Sequence, residues 1–167
     1  MDKIGIFYGS TEGNTENVAE KIQKEFGANQ ADIFNVDSAS AEDVQGYTNL
    51  ILGCPTWEIG ELQEDWETFI DVLDEVDFSG KKVTYFGLGD ADGYPDTFID
   101  ALGIIHDRIK NSRAEFIGKW PTSDYVFDES KAVVDGMFLG LVIDEDNESD
   151  KTDDRVKQWV KQLKGEF

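Results

Sequence analysis

Short apolar strands alternate with helical patterns along the whole chain, and this alternation restricts the folds that the chain can adopt. The first strand, Ile4–Tyr8, ends at a cluster of Gly, Ser and Thr residues. A helical pattern follows it, with Val18, Ile22 and Phe26 spaced by four residues on one face. Because strands that alternate with helices assemble into a parallel sheet with right-handed crossover helices on both faces, the sequence predicts an α/β fold.

The remaining elements continue this order. We expect further strands at residues 32–36, 49–54, 82–87 and 114–118, and a similar run at 138–143. Helical patterns cover residues 62–73, residues 98–109 and the C-terminal stretch from Thr152, where Thr152 is expected to cap the helix. Pro55 is expected to close the third strand. No repeat, low-complexity tract or linker interrupts the pattern, so we expect a single domain over residues 1–167.

The charge balance limits the kinds of partner. The chain has 36 acidic residues against 15 basic ones, a net charge of −21. Such a surface disfavours nucleic acid and anionic lipid and suits partners with basic docking surfaces. No apolar run reaches the ~20 residues of a membrane helix, so we expect no membrane insertion. The first strand begins directly after Lys3 and Cys54 is the single cysteine, so we expect no signal peptide and a cytoplasmic location.

The loop after the first strand has the composition of a phosphate site. In open parallel sheets, ligands bind beyond the carboxyl ends of the strands. The loop Gly9–Thr15 lies there, leads into a helix and carries two glycines and three hydroxyl side chains. Free backbone N–H groups at the helix start and these hydroxyls can bind a phosphate, although a loop that only caps the helix has the same composition. No Lys or Arg lies between Lys3 and Lys21, which disfavours nucleoside triphosphate hydrolysis.

Two aromatic residues follow the next strands of the predicted sheet. Trp57 lies between Pro55 and Gly60, and Tyr94 lies in the loop after the strand at 82–87. Aromatic rings on neighbouring loops can stack on both faces of a flat ring, while each residue alone could also be an ordinary surface aromatic. A phosphate-binding loop combined with two stacking residues indicates a nucleotide with a wide ring system.

Several motifs in register resemble the flavodoxin family over essentially the whole chain. These motifs are Ile6–Thr15, Pro55-Thr56-Trp57, Gly87-Leu88-Gly89-Asp90 with Gly93-Tyr94, and Leu141–Asn147. The resemblance implies a flavodoxin-like doubly wound three-layer sandwich, with a five-stranded parallel sheet in the order 2-1-3-4-5. The interruption of the last strand at residues 119–137 resembles the long-chain branch of the family. The implied cofactor is FMN, because one small domain leaves no second module for the adenylate of FAD.

The resemblance also implies roles for individual residues. The FMN phosphate would be bound by the loop residues Ser10, Thr11, Glu12, Gly13, Asn14 and Thr15. The flavin ring would contact Pro55, Thr56, Trp57, Glu58, Ile59, Gly60, Gly87, Leu88, Gly89, Asp90 and Tyr94, with Trp57 and Tyr94 stacking on its two faces. Thr97 and Asp146 would lie near the ribityl chain. Glu12, Glu58 and Thr97 depart from the residues that the family often has, and the Glu12 carboxylate is expected to face solvent because a phosphate would repel it.

Acidic residues are concentrated in the loops that would surround the flavin. Residues 9–16, 54–65, 87–100 and 144–150 include fifteen Asp or Glu and no Lys or Arg. This distribution predicts a negative field that disfavours an anionic reduced flavin and so gives a low potential. In the family the peptide between Glu58 and Ile59 turns over on reduction. Glycine would make that change easy, whereas Glu and β-branched Ile do not, so we expect weaker stabilisation of the one-electron-reduced flavin than in relatives with Gly.

The function implied by the resemblance is one-electron transfer between redox proteins. In photosynthetic organisms such a protein substitutes for ferredoxin between photosystem I and ferredoxin–NADP reductase, and elsewhere it serves other reductases and acceptors. We expect a monomer and no catalytic residues. His106 is interpreted as a surface histidine, Cys54 as a core residue, and Asp144 with its acidic neighbours as solvated residues and not a metal site. The alternatives are an FMN-dependent quinone reductase on the same fold and an interaction module that has lost its cofactor.

Overall fold

A computed structural model describes all residues from 1 to 167. Its strands are β1 (Ile4–Tyr8), β2 (Ala31–Asn35), β3 (Asn49–Trp57), β4 (Glu61–Leu62), β5 (Lys82–Leu88), β6 (Glu115–Phe116), β7 (Trp120–Pro121), β8 (Val133–Val134), β9 (Met137–Phe138) and β10 (Leu141–Ile143). Its helices are α1 (Asn14–Phe26), α2 (Ala41–Gln45), α3 (Glu64–Val72), α4 (Asp100–Ile109), α5 (Glu145–Glu148) and α6 (Thr152–Glu166), with 3-10 turns at Leu73–Glu75 and Ser149–Lys151. No helix combines the length and apolar character that crossing a membrane requires.

The main sheet has the predicted order. β1 pairs in parallel with β2 on one side and β3 on the other, and β5 pairs in parallel with β3. The far edge of β5 is covered by two short strands, β6 beside Lys82 and Val83 and β10 beside Phe86–Leu88. β6 and β10 are therefore the two parts of one interrupted fifth strand. The order across the sheet is β2, β1, β3, β5 and then the pair β6 and β10. With β5 counted as the fourth strand and this pair as the fifth, the order is 2-1-3-4-5, which confirms the α/β doubly wound prediction.

Helices cover both faces of this sheet. Successive side chains of a strand point to opposite faces, and in β5 Thr84 and Tyr85 show which helices lie on each. Thr84 lies on the side of Leu163 in α6, whereas the Tyr85 hydroxyl is hydrogen-bonded to His106 in α4. α1 packs against α6 on the first face, and α4 packs against the 3-10 turn Leu73–Glu75, directly after α3, on the second. The apolar core lies between these layers and includes the fully buried Trp66 and Trp159.

The inserted segment forms its own small sheet at the edge of the domain. β7, β9 and β8 pair antiparallel in that order, with Phe138 opposite both Trp120 and Val133. The prediction of one continuous strand over 138–143 was therefore wrong in its first part, because Phe138 belongs to the small sheet and the chain rejoins the main sheet at Leu141. Gly140 makes this return possible, since a Cβ there would overlap the Tyr85 carbonyl oxygen.

Two further local predictions were wrong. β3 runs through Pro55 to Trp57, although Pro55 was expected to end it. Proline is tolerated because β1 pairs with β3 only as far as Gly53, so Pro55 has a strand neighbour on one side alone. Thr152 is the first residue of α6 and not its cap, and its hydroxyl donates to Glu145 Oε1 at 2.6 Å.

His106 is half-buried and not a surface residue as predicted. Its Nδ1 lies 2.9 Å from the Tyr85 hydroxyl, and its ring packs edge-on against Phe116 with the centroids 4.7 Å apart. Burial lowers the pKa of His106, the nearby Asp107 opposes this shift, and Lys110 and Lys119 reinforce it. Cys54 is fully buried, as predicted, and burial raises the pKa of its thiol to about 12.

Candidate functional site

A cleft of about 440 Å³ lies at the carboxyl ends of β1, β3, β5 and β10. Its size falls within the range of small-molecule sites, ~300–1,000 Å³. Its lining comprises Ser10, Thr11, Glu12, Asn14, Thr15, Pro55, Thr56, Trp57, Glu58, Leu88, Gly89, Asp90, Tyr94, Glu145 and Asp146. The cleft is open to solvent and most of its lining residues are polar, with hydroxyl groups at one end and two aromatic rings at the other.

The hydroxyl end is the start of α1. Gly13 is the N-cap residue with φ 95°, and no side chain caps this helix. The backbone N–H groups of the first turn therefore have no acceptor within the helix and are free to bind an anion. Ser10 Oγ accepts from Gly13 N at 3.1 Å, which leaves the Ser10 hydroxyl hydrogen available for a ligand. This end of the cleft can bind a phosphate through backbone and hydroxyl donors without a basic side chain.

Trp57 occupies the end of a hairpin and not an irregular loop. Trp57 pairs with Glu61 of β4, and Gly60 N donates to the Trp57 carbonyl at 3.1 Å to close the turn. Within the turn Glu58 has φ 46° and Gly60 has φ 94°. A left-handed conformation is unfavourable for a glutamate, so the turn holds Glu58 in a strained backbone state. Ile59, at the tip, is 73% exposed and is not among the residues that line the cleft.

Tyr94 lies in a loop whose backbone is fixed by hydrogen bonds. Tyr94 N donates to the Asp90 carbonyl at 2.9 Å, and Gly93 N donates to Asp90 Oδ1 at 2.8 Å. The next residue, Pro95, accepts at its carbonyl from the backbone N–H groups of Asp128 and Glu129 in the inserted segment, at 2.8 and 3.0 Å. The inserted segment therefore fixes the backbone that presents the Tyr94 ring, which is 45% exposed.

Asp144 organises the acidic edge of the cleft and is buried, contrary to the prediction that it is solvated. Its carboxylate accepts from Ala91 N at 3.2 Å and from Asn147 N at 3.1 Å. Asn147 Nδ2 also donates to Asp144 Oδ2 and to Asp90 Oδ1, both at 2.9 Å. These bonds join the loop after β5 to the segment after β10. The carboxylates of Asp90, Asp144 and Asp146 have oxygen atoms within 4.8 Å of one another.

The carboxylates at this edge of the cleft repel one another, and this repulsion affects the pKa of Asp146. Partial burial raises the pKa of Asp146, and the carboxylates of Asp90, Asp144, Glu12 and Glu145 raise it further. The pKa of Asp90 is lowered instead, because Gly93 N–H and the Asn147 amide donate to it. A negative field therefore covers this side of the cleft.

Basic residues offset the acidic field only at its margin. Glu148 pairs with Arg155 at 3.2 Å and with Lys151 at 2.6 Å. Arg155 is itself almost fully buried beneath Tyr125 of the inserted segment, with Cζ 4.3 Å from the ring centroid. The acidic residues that line the cleft have no such partner, so the field there is not neutralised.

Most of the predicted site residues lie together in the cleft, but some do not line it. Gly13, Ile59, Gly60, Gly87 and Thr97 lie outside the lining. Gly87 packs against Leu102 and Ile99 of the helical layer, and Thr97 lies against Gly60. A backbone contact from any of these residues to a ligand stays a prediction.

Two residues near the cleft were not predicted. Glu145 lines the cleft, and it could have been predicted from its position between Asp144 and Asp146, the latter already expected at the site. Gln63 is fully buried behind the phosphate-binding loop and donates from Nε2 to Thr11 Oγ1 at 3.1 Å. A polar residue in an acidic stretch gives no sequence signal for such burial.

Comparisons with known proteins agree with this geometry. The family model described as Flavodoxin matches residues 6–159. A flavodoxin of Synechocystis sp. is 53% identical over 98% of this chain and 97% of its own length. A flavodoxin of Trichodesmium erythraeum is also 53% identical, over 100% of this chain and 99% of its own. A crystal structure of Fusobacterium nucleatum flavodoxin bound to flavin mononucleotide superposes with a TM-score of 0.94 at 29% identity, covering 100% of this chain and 99% of that one.

Proposed function

This chain belongs to the flavodoxin family, and on that basis we propose that it binds FMN in the cleft and carries single electrons between redox proteins. Flavodoxins are electron-transfer proteins and not enzymes. The observation that carries the proposal is the pairing, in one cleft, of an uncapped helix start rich in hydroxyls with two aromatic residues, Trp57 and Tyr94. FMN supplies the redox chemistry, and the chain supplies binding, orientation and electrostatics.

The donor set of the cleft fits FMN. Ser10, Thr11 and Thr15 together with the first-turn N–H groups of α1 would hold the phosphate, with the helix dipole favouring its charge. Glu12 is exposed, so its carboxylate can remain in solvent while its backbone contributes to the loop. No basic side chain is needed, because up to three hydroxyls and several backbone donors can stabilise the phosphate charge through charge-assisted hydrogen bonds.

Trp57 and Tyr94 would hold the flavin ring between them, and Asp146 would lie near the ribityl chain. The β3–β4 hairpin fixes the backbone of Trp57, and the Asp90 and Pro95 contacts fix the backbone of Tyr94, so hydrogen bonds hold the segments that carry the two rings. Stacking of this kind contributes ~0.5–1.5 kcal/mol per aromatic pair beyond the burial of the rings. Because Tyr94 is exposed, one edge of the bound ring system would lie near the surface, as electron exchange with a protein partner requires.

The acidic edge of the cleft supports a low potential and basic partners. Negative charge around the cleft opposes the addition of electrons, and each charge ~10 Å away contributes ~0.4 kcal/mol in water. The same field attracts proteins that have basic docking surfaces and speeds their encounter. We propose ferredoxin–NADP reductase and photosystem I, or other reductases and acceptors with such surfaces, as partners of a monomeric, single-domain chain. The buried thiol of Cys54 is suited to a cytoplasmic, reducing location.

Titration of the FMN-free chain with FMN tests the cofactor. We expect the flavin fluorescence to be quenched as the ring enters the aromatic cleft, and tighter binding of FMN than of riboflavin because riboflavin lacks the phosphate. Stepwise reduction under visible spectroscopy is expected to show two separate one-electron steps. A chain that leaves the fluorescence of added FMN unchanged would contradict the proposal.

Reduction by NADPH and ferredoxin–NADP reductase tests the partner. The rate of flavin reduction is expected to fall steeply as ionic strength rises, because screening at 0.15 M salt limits the field to ~8 Å. A rate that does not respond to salt would contradict electrostatic docking while leaving FMN binding intact. Rapid turnover of a quinone with NAD(P)H and no added reductase would favour a quinone reductase instead.

A further inference from the structure

Gln63 is a buried amide that joins the phosphate-binding loop to the start of α3. It immediately precedes α3, and none of its surface is exposed. Its side chain lies directly against Gly9, where an added Cβ would collide with Gln63 Oε1. A polar side chain in such a position must have its donors and acceptor satisfied inside the protein, so its hydrogen bonds define its role.

The partners of Gln63 fix which end of the amide faces the loop. The backbone N–H of Trp66 donates to Oε1 at 3.3 Å, and an N–H group can only donate. The amide nitrogen then donates to Asp65 Oδ2 at 2.8 Å and to Thr11 Oγ1 at 3.1 Å. The reversed orientation would set the amide oxygen against the Asp65 carboxylate and the NH₂ group against the Trp66 N–H. Only one orientation satisfies all three partners.

This orientation determines what the Thr11 hydroxyl can do. A threonine hydroxyl has one hydrogen and two acceptor lone pairs. Because the Gln63 N–H approaches Thr11 Oγ1 as a donor, the hydroxyl hydrogen must point away from Gln63. Thr11 lines the cleft at its phosphate end, so this hydrogen is available to a ligand bound there.

We propose that Gln63 is a positioning residue that makes the Thr11 hydroxyl a hydrogen-bond donor to the phosphate of FMN. The inference rests on the proposed function and adds a residue outside the cleft lining that sets affinity for the phosphate end of the ligand. Gln63 also accepts from Trp66 at the start of α3, which is a purely structural contact. A structural role would affect every ligand of the cleft, whereas the role proposed here acts on the phosphate alone.

The test compares FMN with riboflavin, which has the same ring and ribityl chain but no phosphate. The measured quantity is the ratio of the riboflavin Kd to the FMN Kd, from fluorescence quenching of the full-length, FMN-free chain. Gln63→Glu keeps the size of the side chain and an acceptor for Trp66, but it presents an acceptor to Thr11. We expect the ratio to fall about tenfold, as for the loss of one hydrogen bond to a charged acceptor. Gln63→Met removes the donor without adding charge, and its ratio is expected to fall by less.

Repeating both substitutions in a Thr11→Val chain separates the effect of orienting the Thr11 hydroxyl from the effect of the added charge. A chain with Thr11→Val has no hydroxyl to orient at position 11. Adding Gln63→Met to this chain should therefore leave the ratio of the two Kd values unchanged. Adding Gln63→Glu should lower the ratio by less than it does in the unaltered chain. Equal falls in the two backgrounds would overturn the proposal, as would a parallel loss of riboflavin and FMN affinity. If Gln63→Glu fails to fold by circular dichroism, the Gln63→Met pair supplies the same comparison. FMN binding by the unaltered chain tests the proposed function separately.

Discussion

The carboxylate of Asp100 accepts a hydrogen bond of 2.7 Å from the backbone N–H of Lys131, and this contact joins the inserted segment to the first turn of α4. Asp100 is buried, and its second oxygen faces Gly60, where an added Cβ would lie 2.9 Å from it. One side chain therefore connects the inserted segment with the turn that follows Trp57. The insertion is part of the support of the cleft and not only an addition to its edge.

Asp100→Ala is expected to lower the free energy of unfolding by about 1–3 kcal/mol, because it leaves the Lys131 N–H without its acceptor. Urea denaturation of the FMN-free chain measures this change. Asp96→Ala is the matched control, because Asp96 is an exposed acid shortly before Asp100 in the chain, and its substitution should change the free energy of unfolding little. Equal effects of the two substitutions would show that the Lys131 contact does not stabilise the fold.

Trp57→Ala is expected to raise the Kd for FMN about tenfold or more, because it removes a stacking surface together with its burial. Fluorescence titration measures the change. The same substitution should weaken riboflavin to the same degree, since the tryptophan would contact the ring and not the phosphate. A loss confined to FMN would place Trp57 near the phosphate and contradict the proposed orientation of the flavin.

Asp146→Asn is expected to raise the midpoint potential for adding the second electron by about 10–20 mV, the equivalent of ~0.4 kcal/mol for one charge ~10 Å away in water. Spectroelectrochemical titration measures this shift. Burial and the surrounding carboxylates raise the pKa of Asp146, so the difference between the two chains should disappear as pH falls through that pKa. Glu115→Gln, at the opposite end of the sheet, is the control, and an equal shift there would show that only net charge matters.

His106 gives a direct measure of the packing between α4 and β5. Burial lowers its pKa below 6.5, and the Tyr85 hydroxyl, whose own pKa burial raises well above 10, can donate to the neutral ring. Because His106 is the only histidine, proton NMR should show one histidine titration, with a midpoint below that of the urea-unfolded chain. Tyr85→Phe should raise this midpoint. An unchanged midpoint would mean that the hydrogen bond has no influence on the neutral form.

The same shift has a consequence for stability. Since the folded pKa of His106 lies below the unfolded one, protonation favours the unfolded chain, and stability is lost progressively as pH falls from the unfolded value of ~6.5 through the lower folded pKa. His106→Gln should therefore reduce the loss of thermal stability between pH 7.5 and pH 5.5, measured by melting curves of the FMN-free chain. A loss equal to that of the unaltered chain would assign the acid sensitivity to other groups.

The sequence was informative wherever an element is repetitive or a motif is contiguous. Periodic apolar residues predicted the parallel sheet, and the loop Ser10–Thr15, Trp57 and Tyr94 were predicted to lie together at one edge. The sequence was uninformative where a single residue depends on contacts distant along the chain. Asp144 looks like one more surface acid, yet it is buried because Ala91 and Asn147 donate to it. Pro55 normally ends a strand, but the early end of β1 removes the hydrogen bond that a proline would break.

The cleft is assembled from parts that lie far apart along the chain, and this bears on when it can first exist during protein synthesis. The loop that forms its phosphate end finishes at Thr15, whereas its acidic edge ends at Asp146. At ~5–20 residues per second, the ribosome needs roughly 7–26 s to make the intervening residues. Until then the uncapped start of α1 is present without the opposite wall. Cofactor loading must therefore follow the release of nearly the whole chain.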